Sequence, residues 1–197
     1  MLDRAAADGN DGIHPRLVAV SGNTRRPSRC RTLTNAITAR IAELVRVEIR
    51  IIELVDLGPG FAASFERAEL PPRLLSAIEA VETADVLVAV SPVYNGSYTG
   101  LFKHFLDFVG SGTLVGKPVV IGATGGGPRH TLVVEHQLRP LFAFFNALTI
   151  PTAVYAEDAS FTSSTLTDPV VMRRVEMAAA QVAAILTATG IRSTLAG

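Results

Sequence analysis

The scarcities of this chain bound it first. It has one cysteine, Cys30, and four histidines in 197 residues. No intrachain disulfide can form, and no Cys/His spacing resembles a zinc site, so no metal is expected. A lone thiol suits a reducing compartment, and a cytoplasmic location is expected. No apolar run reaches the roughly 18 residues that span a bilayer. Met1–Arg16 is polar and has no apolar centre, so neither a signal peptide nor a membrane partner is expected. Charged residues make up only 18%, against roughly 25% in an average soluble protein. Basic and acidic residues balance at 18 each, without the basic excess typical of a nucleic-acid binder. Tryptophan is absent.

Apolar residues are plentiful, at 48%. That is enough to build a sizeable core, and the low charge excludes general disorder. Residues 1–15 read as a disordered tail and 16–197 as one domain. Five short Val/Ile-rich runs have strand length: Leu17–Ser21, Val47–Glu53, Val86–Ser91, Pro118–Thr124 and Ile150–Ala156. The first, third and fourth are apolar at nearly every position, as in parallel strands covered on both faces. In Val47–Glu53, Glu48 and Arg50 alternate with apolar residues, which suits a strand nearer an edge. Helical periodicity follows each run, over Thr32–Val45, Pro72–Thr83, Gly100–Val109, Arg129–Leu148 and Pro169–Thr187. Strand and helix therefore alternate five times. The expected fold is α/β, a doubly wound five-stranded parallel sheet of flavodoxin-like order 2-1-3-4-5, helices on both faces. Leu57–Pro71 is left as a long Pro/Gly-containing loop.

Such sheets bind ligands beyond the carboxyl ends of their strands. Three of those loops are unusual. After the first strand comes Ser21-Gly22-Asn23-Thr24-Arg25-Arg26-Pro27-Ser28-Arg29-Cys30-Arg31-Thr32, leading into a helix. A helix start favours an anion, and here four arginines lie within seven positions with no acid among them. A phosphate dianion fits this loop; a solvated basic loop with an ordinary N-cap is the alternative. The loop is neither a Walker A sequence nor GxGxxG. Cys30 lacks the spacing to arginine of the cysteine phosphatases. After the third strand, Pro92-Val93-Tyr94-Asn95-Gly96-Ser97 offers flat aromatic surface and open backbone, suited to a planar heteroaromatic ring. A decorated turn is the alternative. After the fourth, Thr124-Gly125-Gly126-Gly127 suggests backbone passing close to a ligand, with a hinge as the alternative.

GNTRRPSR, PVYNGSYTGLFKHFLD and ATGGG, in this order and after these strands, resemble the NAD(P)H-dependent FMN reductases. The likeness is greatest to the flavin reductases of sulfonate-utilisation systems, which feed reduced FMN to a monooxygenase. It spans roughly residues 16–190. The first loop departs from the commoner GSPR form at Asn23 and Thr24. The resemblance implies phosphate contacts for Ser21, Asn23, Arg25, Ser28, Arg29 and Thr32. It implies ring or ribityl contacts for Pro92, Val93, Tyr94, Asn95, Gly96, Ser97, Thr124, Gly125, Gly126 and Gly127. It implies FMN with NADPH or NADH, hydride transfer carried by the cofactors rather than by a catalytic side chain, and an FMNH2-dependent monooxygenase as partner. An FMN-containing quinone or azo-compound reductase and a flavodoxin-type electron carrier are the alternatives. His104 reads as solvated or at an interface, His136 as a surface or interface histidine with a role near the flavin as the alternative, His130 as within reach of a cofactor phosphate, and Asp158 as an acidic position of the family. The aromatic crowding of Leu101–Val109 and Leu138–Leu148 suggests subunit contacts, in a homodimer or homotetramer.

Overall fold

A computed structural model describes residues 14–189. Residues 1–13 of the expected tail lie outside the described residues. The Pro15 carbonyl accepts from the Glu48 N–H at 2.9 Å.

The central strands are β1 (Arg16–Ser21), β2 (Glu48–Glu53), β3 (Val86–Tyr94) and β5 (Pro118–Gly125). They pair in parallel, in the order β2-β1-β3-β5. β3 is buried at every position from Val86 to Ser91. Its side chains alternate between two cores: Val86, Val88 and Val90 on one face, Leu87 and Ala89 on the other. On the first face lie α1 (Arg29–Leu44) and α6 (Pro169–Ala188), which bury Leu33, Ile37 and Ile41 with Ala178, Val182 and Leu186. On the second lie α3 (Pro72–Thr83) and α4 (Gly100–Asp107), with Leu74, Ile78, Phe102 and Phe105 inward.

The expectation of five strands needs correction: the sheet has seven. A short antiparallel β4 (Ser97–Tyr98) folds back on β3 around Asn95 and Gly96, whose φ values are 50° and 86°. An Asn-Gly pair between two paired residues is a hairpin signal, because both central positions of such a turn need positive φ. The fifth strand is also broken, into β6 (Leu148–Thr149) and β7 (Val154–Glu157), both paired to β5. Pro151 explains the break, having no N–H for the ladder. Across the gap Ile150 still donates to Val119 at 2.8 Å, and the Thr152 N–H turns instead to the side chain of Gln181 in α6. A second small hairpin, β8 (Phe161–Thr162) and β9 (Thr165–Leu166), follows β7.

Three further expectations change. The Leu57–Pro71 loop contains a short helix, α2 (Pro59–Ala63), which buries Phe61 against α4. His104 is therefore not simply solvated: its Nε2 lies 3.0 Å from the Phe61 carbonyl and its ring between Phe61 and Phe108. The single helix expected over Arg129–Leu148 is three pieces: a 3-10 turn, a π-helical turn over Val134–Leu138, and α5 (Arg139–Phe144). Pro140 cannot donate to the carbonyl four residues back, so the regular ladder has no bond to make there.

Most of the aromatic side chains of these helices are buried within the chain. Phe102, Phe105, Phe108, Phe142 and Phe145 are all buried. Phe144 points out and is 69% exposed. Phe142→Ala is expected to cost about 3–5 kcal/mol of stability. Phe144→Ala is expected to change the stability of the dissociated monomer by less than about 0.5 kcal/mol. Urea unfolding of the dilute protein measures both.

Candidate functional site

The strand ends of β1, β3 and β5 open into one cavity of about 400 Å³. It is lined from five segments: the loop after β1 with the start of α1, the start of the β3–β4 hairpin, the end of β5 with its glycine run, Asp158 just after β7, and the turn of the β8–β9 hairpin.

The first loop begins at Gly22, where a side chain would be crowded. A Cβ there would sit 3.0 Å from the Phe102 ring and 3.2 Å from both Ser91 Cα and the Val90 carbonyl oxygen. The Gly22 N–H donates to that carbonyl at 2.7 Å, pinning the loop to β3. Asn23 is buried and its amide is fully engaged. It accepts from Ser21 Oγ at 2.7 Å and donates to Glu53 at 3.0 Å and to the Arg25 carbonyl at 3.3 Å. The Arg26–Pro27 peptide is cis. Ser28 then caps α1 by accepting from the Arg31 N–H at 3.3 Å. α1 thus starts three residues before the expected Thr32, and its cap Ser28 and first residues Arg29 and Cys30 line the cavity.

The four arginines are not the unopposed cluster that the loop suggested, because acids from other segments reach them. Arg26 pairs with Asp56 and Glu53, and Arg31 with Glu53, at 2.7–2.9 Å. Asp56 holds the Arg26 guanidinium well above its ordinary pKa, with Glu53 the next cause, and Arg26 in turn lowers Asp56. Arg29 makes one bond to Asp158 at 2.9 Å. Among the described residues, Arg25 has no acidic partner. Only Arg25 and Arg29 of the four line the cavity.

Of the residues expected to contact phosphate, Asn23, Arg25, Ser28 and Arg29 line the cavity. Ser21 lies beneath it, fully buried between Asn23 and Cys30. The Thr32 hydroxyl serves the Ser28 and Ser164 carbonyls instead. Pro92, Val93 and Tyr94 line the cavity, and the Tyr94 hydroxyl lies 3.1 Å from Thr24 Oγ1, bridging two loops. Asn95 and Gly96 form the hairpin turn, and Ser97 bonds Gln137 at 3.1 Å; none of the three is in the lining. Thr124, Gly125 and Gly126 line it, whereas the Gly127 carbonyl accepts from the Tyr155 hydroxyl at 2.6 Å.

The glycines differ in what requires them. A Cβ at Gly125 would lie 2.6 Å from that same hydroxyl, so Gly125 makes room for Tyr155. A Cβ at Gly126 would meet nothing within 4 Å, so Gly126 keeps the cavity itself open.

Sequence reasoning missed Thr24, Pro27, Ser163 and Ser164 as lining residues, and left Asp158 unassigned. The Ser-Ser turn carries no Gly, although Ser163 has φ 57°. The hairpin is tied down at both ends: Thr32 donates to the Ser164 carbonyl at 3.0 Å, and Ser160 bonds Asp168, the N-cap of α6, at 3.0 Å. His130 and His136 do not line the cavity.

Cys30 touches the lining, but its thiol is fully buried and donates to the Val90 carbonyl. Burial pushes it up to about 12 from 9.0, which excludes a thiolate nucleophile near neutrality. An unfolded chain loses this proton first. Stability is therefore expected to fall as pH rises between about 9 and about 12. Native protein at about pH 8 should resist iodoacetamide, and urea should expose one reactive thiol by mass spectrometry.

Comparison with known proteins bears directly on this site. The family described as NADPH-dependent FMN reductase matches residues 15–161. The "FMN reductase (NADPH)" of Pseudomonas aeruginosa is 42% identical over 168 residues, 85% of this chain and 90% of that protein. The "NADH-dependent FMN reductase SfnF" of Pseudomonas fluorescens is 43% identical over the same shares. A solved oxidoreductase from Corynebacterium diphtheriae superposes with a TM-score of 0.77 at 30% identity, over 89% of this chain and 98% of that one. With most of its length, its parallel sheet and all three site loops inside these matches, the chain belongs to the NADPH-dependent FMN reductase family.

Proposed function

We propose that this protein oxidises NADH or NADPH and reduces FMN, and that reduced FMN leaves to serve a flavin-dependent monooxygenase. The carrying observation is that one cavity combines an unpaired guanidinium, a helix start and open glycine backbone. Arg25 has no acidic partner among the described residues, Ser28 caps α1, and Gly126 leaves its wall bare.

These residues fit FMN. Arg25, Arg29 and the first-turn N–H groups of α1 would hold the phosphate. Pro92 to Tyr94 and Thr124 to Gly126 would flank the ring. When bound, FMN supplies the ring that takes a hydride from nicotinamide, so the protein contributes position and electrostatics. The pinned Gly22 fixes the first loop relative to β3. Tyr155 fixes the glycine run through Gly127. The Thr24–Tyr94 bridge sets the spacing between the phosphate and ring segments. No lining side chain needs to move a proton for this exchange between cofactors.

A homodimer or homotetramer is part of the reading. Leu132, Phe144 and Leu148, in and around the fourth helical segment, stay exposed and would be covered by a second copy. Sedimentation at micromolar concentration should show an assembly; a monomer would remove this element.

The relatives' names include both NADPH and NADH, so steady-state assays should use both with FMN and riboflavin. FMN should behave as a substrate lost on dialysis. Arg25→Ala should weaken FMN binding by about 1.5–3 kcal/mol and riboflavin binding far less. Equal losses for the two flavins would refute the phosphate assignment.

A further inference from the structure

We propose that Asp158 is a specificity-determining residue that weakens phosphate binding in the cavity and so keeps FMN exchangeable. This rests on the FMN-reductase reading above. The charge inventory of the lining carries it. Arg26 and Arg31 turn away to Glu53 and Asp56. That leaves two cations, Arg25 and Arg29, and one anion, Asp158, as the charged residues of the wall among the described residues. Their formal sum is +1, whereas a phosphate monoester carries about −1.5 to −2 near neutral pH. The wall is therefore short of the charge it would need to neutralise its guest, and Asp158 is the residue responsible.

The position of Asp158 argues against a purely supporting role. Its carboxylate takes one N–H of Arg29, at 2.9 Å, and both side chains are about half exposed, at 53% and 46%. An exposed single bond of that kind orders a guanidinium only weakly. Glu53 is the contrast: with 9% side-chain exposure, it holds two arginines and Asn23, and it does not line the cavity. Glu53 is scaffold; Asp158 stands in the site. Any anion on Arg29 lies within the roughly 8 Å screening length of that carboxylate at physiological salt. It is repelled there, and it must also displace or share the N–H that Asp158 holds. Riboflavin, lacking the phosphate, meets neither obstacle. Asp158 thus acts on the discrimination between FMN and uncharged flavins.

The test is flavin-fluorescence titration of the full-length protein with FMN and with riboflavin. Asp158→Asn should tighten FMN about tenfold, or 1.4 kcal/mol, and leave riboflavin within about twofold. Asp158→Ser should do the same, since the effect is one of charge, and added salt should shrink the difference. Unchanged or weaker FMN binding in both variants would show that Asp158 supports Arg29 and would overturn the inference. So would an equal gain for riboflavin. If wild type reduces FMN and the variants bind it no more tightly, this inference alone falls. If neither wild type nor variants bind FMN, the FMN-reductase reading falls and takes this one with it.

Discussion

A parallel sheet covered by helices on both faces has no free face on which to build a site. Its strands all leave at the same edge, and ligand chemistry collects there. β3 shows the constraint most plainly: it is buried from Val86 through Ser91 and becomes accessible at Pro92, where the site begins. Gly22 and Gly125 follow from the same crowding. Each lies where a strand gives way to a loop, and at each a neighbouring element would crowd a Cβ.

Within that frame, one carboxylate organises the loop after β1. Glu53, at the end of β2, accepts from Asn23, Arg26 and Arg31. Removing it would leave three donors without that partner around a loop that the Gly22–Val90, Val55–Asn23 and Thr24–Tyr94 bonds also anchor. Two of the four arginines thus shape the loop, and two are left to face a ligand. The division of labour matters for function, because a cavity with four free guanidinium groups would grip a phosphate far more tightly than one with two, one of them paired.

Much of the fold was legible from pattern. The continuous apolar runs located β1, β3 and β5, and helical periodicity gave α3 its observed ends and α6 to within one residue. The misses have local causes. Pro151 broke a strand, Pro140 accompanied a broken helix, and Asn95-Gly96 made a hairpin where an open loop was expected. At the site, the order of the loops after β1, β3 and β5 sufficed to find most of the cavity wall. The β8–β9 turn was illegible, because Ser163 and Ser164 carry no distinctive turn chemistry and reach the site only through folding.

The sequence by itself determined the alternation of strand and helix, the edge at which the site forms and the family, since these depend on periodicity and on motifs a few residues long. Only the tertiary structure decided which charges are free. Arg25, Arg26, Arg29 and Arg31 are chemically identical and nearly adjacent in the chain. Their partners Glu53, Asp56 and Asp158 lie 22 to 129 positions away. Ion pairs act through space over a few ångströms, so neither composition nor local spacing records them.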